Sequence, residues 1–401
     1  MRVTTNQLYS QSLSRILELQ ADTRSLQGQI SSGKRIQTPS DDPVGSAAVM
    51  QIQQQVNASD QYARNGAQGT QRLTQVDDTL GTMTAALQHV RDLAVQGRSE
   101  ALGASDRLAI AKDIREQLDV LVDLGNARNA SGEYIFAGAQ TTTRPFTIDA
   151  TGSVTYNGDQ KVRELQISQD RSVPEGFSGE EAMMAVRNGN GTFVARRVPT
   201  NTGTGQISDN VVVNGSAYVA HDFRISFTSP TTYDLIDDTL GTTVASAQSY
   251  QDGAAIPFNG SKVTVIGAPA AGDQFTIKPS ANQSMFATVR NLAVALETGY
   301  SNPNTQAGFG FDVDRSLEDL DQALSKMSEL RSTTGARLNS ISAQSDANDL
   351  VNVNLQTLRS KIEDVDLASA ISALTQETTA LQAAQQAFVK VHGLSLFNYL
   401  S

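Results

Sequence analysis

The chain has 401 residues, of which 39% are hydrophobic and 18% charged, with a formal charge of −11; it is too long for one average domain. A surface this acidic is repelled by a phosphate backbone, which removes the electrostatic support that nucleic-acid binding needs. The absence of cysteine excludes disulfides, thiol catalysis and cysteine-based metal sites, and 5% aromatics without tryptophan point to thin, elongated packing.

Met1 to Gln7 shows no charged region followed by an apolar stretch, and nowhere do about 18 apolar residues run together. The expectation is no Sec signal and no transmembrane helix. Over residues 1–35, Leu13, Ile16, Leu26 and Ile30 form a broken stripe in a segment rich in Gln, Ser and Thr. Such a helix is marginal in water without a partner.

Proline then divides the chain. Residues 44–144 and 304–401 contain none, while eight lie between them, as expected for two helical flanks around a centre of different structure. Asp41 and Asp42 can accept hydrogen bonds from free helix N–H groups, and Pro43 suits the first helical position. The spacing predicts a helix over 43–96, on the order of 80 Å long. Leu73, Val76, Leu80, Met83, Leu87, Val90 and Ala94 recur at alternating steps of three and four along it, the seam of a bundle or coiled coil. Gly97 and Gly103 predict a turn, and Ser105 a cap for a second helix through Leu108, Ala111, Leu118 and Leu121.

The centre carries four turn signals, Asn157-Gly158, Asn190-Gly191, Asn214-Gly215 and Asn259-Gly260. Alternating stretches at 147–149, 154–156, 223–227, 262–266 and 274–277 read as half-buried strands, and half of the 22 aromatics fall in 145–285. A small β core of sandwich or barrel type is predicted there. A short amphipathic stretch with Met285, Val289, Leu292 and Leu296 leads into the second flank. That flank has a stripe of Leu317, Leu320, Leu324, Met327, Leu338 and Ile341, interrupted by Arg331, Thr334, Ser345 and Asn348. The stripe continues through Leu355, Leu358, Ile362 and Val365, then Ile371, Leu374, Leu381 and Phe388, and ends in an apolar tail with Leu394, Leu396, Phe397 and Leu400.

Catalytic patterns are lacking. No GxSxG occurs, the Gly203-Thr204-Gly205 and Gly189-Asn190-Gly191 pairs lack the rest of a nucleotide-binding loop, and His89, His221 and His392 lie far apart. Neighbouring acids such as Asp77-Asp78 and Asp237-Asp238 read as solvated charge. The expectation is no enzyme, no cofactor and no metal.

The fold class predicted is an α+β multidomain chain: a long antiparallel helical bundle or coiled coil built from both flanks, with an inserted central β-rich domain. The expected divisions are an amino-terminal assembly segment over 1–42, bundle halves over 43–140 and 285–360, a β-rich outer domain over 141–284, and a carboxyl-terminal assembly segment over 361–401, both end segments being mobile in the monomer and helical in the assembly. The unpaired stripes at both ends point to assembly, with Leu13, Ile16, Leu26, Ile30, Ile371, Leu374, Leu381, Phe388, Leu394, Leu396, Phe397 and Leu400 as the candidate interface.

Two terminal motifs carry a resemblance. Ser32-Gly33-Lys34-Arg35-Ile36 followed by Pro39-Ser40-Asp41-Asp42-Pro43, together with Ile362-Glu363-Asp364-Val365-Asp366, resembles the paired signatures of the flagellin superfamily. Gly132-Glu133-Tyr134-Ile135-Phe136-Ala137-Gly138 and the ending Leu394 to Leu400 are most similar to its hook-associated protein 3 branch. The resemblance covers about the first 146 and last 110 residues. It implies a structural part of the bacterial flagellum, joining a hook-associated protein on the hook side to the flagellin filament by helical self-assembly of its terminal helices. It also implies type III export without a cleaved signal peptide, and an export chaperone on the carboxyl-terminal region. Asp41, Asp42, Pro43, Glu363, Asp364 and Asp366 would be motif and helix-cap residues. A filament flagellin is the alternative within the family, and a coiled-coil adhesin with a carbohydrate-binding centre the alternative outside it.

Overall fold

The computed structural model describes residues 5–300 and 303–397, the side chains of 5, 6, 8, 209, 303, 304 and 391–397 excepted. Helices α1 (Thr5–Ser32), α2 (Pro43–Gly97) and α3 (Ala104–Gly125) precede a β-rich centre, and α4 (Met285–Thr298), α5 (Pro303–Glu363) and α6 (Leu367–Phe397) follow it. This is the α+β architecture expected from the sequence. The chain divides into an end unit, 1–64 with 343–401, and a central unit, 65–342.

In the central unit the seven seam residues from Leu73 to Ala94 are all buried, the six from Val76 onward in one core with Leu320, Ala323, Met327 and Leu330 of α5 and the apolar faces of α3 and α4. Each fully buried side chain of this size contributes about 1.5–3 kcal/mol. Asp77 pairs with Arg331 at 3.0 Å, Arg91 with Asp321 at 2.8 Å and Arg98 with Asp314 at 2.7 Å. Partners ascend α2 as they descend α5, so the helices are antiparallel, and the last two pairs are one heptad apart on both. Thr334 is completely buried in this seam, and its hydroxyl donates to the Leu330 carbonyl at 2.9 Å. That bond removes the cost of an unsatisfied polar group.

Helix α3 departs from expectation at its start. Gly103, not Ser105, is the N-cap, and its N–H donates to the Asp106 carboxylate at 3.2 Å. Leu108 is 51% exposed, because it lies two residues, about 200° of helical rotation, from Ile110, whose face with Ala111, Ile114, Leu118, Leu121 and Val122 is the buried one.

The centre opens with two hairpins, β1 (Phe146–Ile148) with β2 (Val154–Tyr156) and β3 (Glu164–Ser168) with β4 (Arg171–Pro174). The second lays Ile167 and Val173 on Leu73 and Ile341. A single π-helical turn at Glu180–Met184 precedes β5 (Val186–Arg187), β6 (Phe193–Arg197), β7 (Gln206–Val212), β8 (Phe223–Ser229), β9 (Thr232–Asp237), β10 (Thr242–Ser249), β11 (Ala255–Phe258), β12 (Ser261–Ile266), β13 (Gln274–Pro279) and β14 (Asn282–Gln283). An antiparallel sheet ordered β10-β9-β8-β13-β6 and another ordered β11-β12-β7 share one core containing Phe193, Phe223, Phe227, Phe275, Phe258, Val263 and Val265. Two sheets over one core make a small sandwich.

Of the four Asn-Gly pairs, Asn259-Gly260 forms a two-residue hairpin. Both residues have positive φ, 37° and 71°, between the register partners Phe258 and Ser261, as a type I′ turn requires. Asn157-Gly158, Asn190-Gly191 and Asn214-Gly215 lie in longer loops, because no strand pair closes directly on either side of them. The edge strand β10 is interrupted by register shifts at Thr243/Ala245 and Ala245/Gln248, irregularities that blunt an edge against further strand pairing.

Candidate functional site

The two terminal motifs meet in the end unit. Gly33, at φ 71°, ends α1 and turns the chain so that Lys34 bridges Asp364. The Arg35 N–H donates to the Glu363 carbonyl at 2.7 Å and the Val365 N–H to the Gly33 carbonyl at 3.0 Å. The Lys34 ammonium pairs with the Glu363 carboxylate, and the Arg35 guanidinium donates to the Ile362 carbonyl at 2.8 Å and to Asp42 at 3.2 Å.

Each acid of the motifs has a definite task. Asp41 accepts the N–H groups of Gln37 and Thr38 at 2.9 and 2.7 Å and so closes the loop. Asp42 accepts the Gly45 N–H at 2.8 Å, capping α2 while Pro43 occupies its first position. Asp366 accepts from Ala368 and Ser369 at 3.0 and 3.3 Å and caps α6, and Asp364 accepts from the Ser360 hydroxyl. The Thr38 and Gln37 N–H groups hold the Asp41 carboxyl below the usual range. The Gly45 N–H and the Arg35 guanidinium do the same for Asp42.

Beyond this clasp α1 and α6 pack along their length. Ile16 and Leu19 are buried, Leu26 and Ile30 half-buried, and Ala370, Leu374, Leu381 and Phe388 face them, with Tyr9 and Phe388 ring centroids 5.1 Å apart. Leu13 and Ile371 instead lie outward, 39% and 52% exposed. Leu394, Leu396, Phe397 and Leu400 lie outside the described side chains. The sequence reading missed Leu19 and Ala370. Leu19 belongs to the run Ile16, Leu19, Thr23, Leu26, Ile30, whose alternating steps were hidden by a threonine. Thr23 sits buried in the seam with its hydroxyl donating to the Leu19 carbonyl at 2.7 Å. Opposite, Glu377 leaves one carboxylate oxygen buried without a hydrogen bond, so this seam is thin and partly polar.

In the central unit, the segment Gly132 to Gly138 builds an alternating ion cluster. Arg72 pairs with Glu133 at 3.2 Å and with Glu175, and Arg163 with the same two acids at 3.3 and 3.2 Å. Arg163 and Asn129 hold the Glu133 carboxyl down to about 2. Tyr134 lies under Arg128, 4.3 Å from guanidinium to ring centre, and Phe136 is completely buried. Gly138 has φ 67°, and a methyl there would collide with the Asp159 carbonyl oxygen.

The histidines join no such arrangement. His221 is 2.8 Å from Asp237, which also accepts the Thr239 and Leu240 N–H groups and so fixes a turn. His89 is exposed, 3.7 Å from Asp113, and the His392 side chain lies outside the described ones. No helix among the described residues is long and apolar enough to cross a membrane.

The comparisons with known proteins agree with this geometry. Residues 3–141 match the bacterial flagellin N-terminal helical region, and residues 317–400 match the C-terminal helical region. The crystal structure of Xanthomonas campestris FlgL, 32% identical, superposes with a TM-score of 0.69 over 76% of this chain and 99% of that one. The chain belongs to the flagellin family, in its hook-associated protein 3 branch. The flagellar junction protein FlgL from Legionella pneumophila is 28% identical, with a TM-score of 0.70 over 80% of this chain and 100% of that one. Flagellar hook-associated protein 3 of Salmonella typhimurium is 32% identical over 186 residues, 46% of this chain and 58% of that protein; the chain thus spans just over half the length of this curated relative. The hook-associated protein 3 branch is structural, and each matched helical region contains one of the two clasp motifs.

Proposed function

We propose that this chain is a structural junction protein of the bacterial flagellum. Copies assemble helically between a hook-associated protein on the hook side and the flagellin filament. The observation that carries the reading is the clasp that brings the two chain ends together as paired helices bearing outward apolar side chains. A helix pair with Thr23 and Glu377 in its seam and Leu13 and Ile371 outside gains apolar contacts when subunits meet.

On this reading the α1–α6 pair of residues 1–42 and 361–401, only thinly held together in the free chain, becomes fully ordered on assembly, the helical stretches over 43–140 and 285–360 make lateral contacts, and the β-rich residues 141–284 face outward. Burial of the apolar stripes offsets the entropy of ordering the ends. The protein leaves the cell through the flagellar type III channel, with an export chaperone on its carboxyl-terminal region, and performs no catalysis. A filament flagellin is the weaker alternative, since the similar solved structures with TM-scores near 0.7 are those of FlgL.

A charged residue at Ile371, which is exposed and so leaves the α1–α6 seam intact, tests the reading. Ile371→Lys should block filament attachment while the secreted chain stays folded by circular dichroism; normal attachment contradicts an assembly role for this face.

A further inference from the structure

The sequence holds six Asn-Gly pairs, the four read as turns together with Asn65-Gly66 and Asn188-Gly189. In this dipeptide the glycine backbone nitrogen can attack the asparagine carboxamide carbon, because no Cβ stands in its way; the reaction needs a free glycine N–H and a carboxamide free to turn. Five of the six pairs are tied down. Gly66 lies inside α2, where its N–H belongs to the helical ladder, and the Asn65 amide donates to the Gln166 carbonyl at 2.7 Å. The Gly189 N–H donates to Asp319 at 2.7 Å and the Gly191 N–H to the Asn188 carbonyl at 3.3 Å. The Asn188 side chain accepts the Ala281 N–H at 2.9 Å, and that of Asn190 accepts the Thr192 and Phe193 N–H groups at 2.9 and 2.8 Å. The Asn157 amide donates to the Thr147 hydroxyl at 3.0 Å, and backbone bonds from Asn157 to Pro145 and from Asp159 to Ala137 fasten the chain on both sides of the pair. Asn259 is held in its two-residue turn by the closing partners Phe258 and Ser261.

Asn214-Gly215 is the exception. Both residues are exposed, and nothing lies within 4 Å of the position a Gly215 Cβ would take. Among the described residues neither the Gly215 N–H nor the Asn214 amide nitrogen has a hydrogen-bond partner. The one side-chain bond of Asn214, accepted by its Oδ1 from the Ser216 N–H at 3.1 Å, is an Asx turn, which folds the carboxamide back over the Gly215 peptide. We propose that Asn214 is a site of spontaneous deamidation, modified by water without an enzyme. The Gly215 nitrogen gives its proton to hydroxide and bonds to the Asn214 Cγ; the Cγ–Nδ2 bond breaks, and the nitrogen takes a proton from water and leaves as ammonia. Water then opens the resulting succinimide ring at one carbonyl or the other, leaving aspartate or isoaspartate. The product places a carboxylate beside the exposed Val213, in a stretch, 210–220, that otherwise has no charged side chain.

The test uses the purified full chain, shown to be folded by circular dichroism and incubated in mildly alkaline buffer. Its peptides are then resolved by mass spectrometry with electron-transfer fragmentation, which separates isoaspartate from aspartate. Asn214 should gain one mass unit and split into the two product forms, while the other five pairs stay unchanged over the same period. In urea all six pairs should convert, which assigns the selectivity to the fold rather than to the dipeptide. Gly215→Ala adds a methyl where nothing lies within 4 Å, so the fold is kept, and it should slow conversion at Asn214 at least several-fold. An intact Asn214 in the folded chain, another pair converting as fast, or an unchanged rate in Gly215→Ala each overturn the proposal. The junction reading rests on the clasp and is untouched by any of these results.

Discussion

The Arg35 N–H reaches the Glu363 carbonyl, 2.7 Å away in space and more than three hundred residues away in sequence. This contact and its neighbours make the two family signatures one structural object. Their residues are chosen for turning and capping: Gly33 for a positive φ, Asp41, Asp42 and Asp366 as acceptors for N–H groups that helix ends leave free, and Pro43 for a first helical position that needs no donor.

Gly33→Ala tests the turn in isolation, because no atom lies within 4 Å of the position a methyl would take. The cost is conformational alone, about 1–2 kcal/mol. Urea unfolding should show that loss, and faster amide exchange at Arg35 and Val365 should accompany it.

The clasp weakens in acid. Asp41 and Asp42 have folded-state carboxyls below their unfolded value of 3.8, so the stability they contribute is complete above that value and lost as pH falls through the lowered ones. Asp42→Asn should flatten the pH dependence of amide protection at Gly45 in that window; an unchanged profile contradicts the capping role.

Glu133 gives a second acid response, in the central unit. Its carboxyl falls from 4.5 to about 2, so its contribution is complete above 4.5 and lost between there and about 2. Glu133→Gln removes charge-assisted bonds to Arg72 and Arg163, with a loss of about 1.5–3 kcal/mol at neutral pH. Thermal unfolding against pH should show the variant and parent converging in acid.

Two glycines of that segment separate conformation from collision. Gly132, at φ 80°, has open space where a methyl would go, while at Gly138 a methyl meets backbone. Gly132→Ala should cost about 1 kcal/mol, and Gly138→Ala more than about 3 kcal/mol, read as the difference between their melting temperatures.

Helix α3 offers a paired control on burial. Leu118 is 2% exposed and Leu108 51%, so Leu118→Ala should cost about 2–5 kcal/mol and Leu108→Ala within about 0.5 kcal/mol.

The seam from Leu73 to Ala94 was legible because seven apolar residues kept one period without interruption. Leu19 was not, because Thr23 breaks the apolar run and only the local bond to the Leu19 carbonyl makes a threonine acceptable there. The Gly103 cap was hidden by Ser105, a better capping type at the wrong position, since Asp106 supplies the acceptor from inside the helix. Three Asn-Gly pairs misled because a two-residue turn depends on strands closing on both sides, which is a long-range property. The clasp residues could be named from the sequence, but their pairing across the chain is tertiary, and no local pattern specifies that Lys34 faces Asp364.

The most direct test of the junction role is deletion of this chain from its host, with the flagella imaged and the medium assayed for soluble flagellin. Hooks without filaments, with flagellin lost as monomers, is the predicted result. Intact flagella would contradict the account.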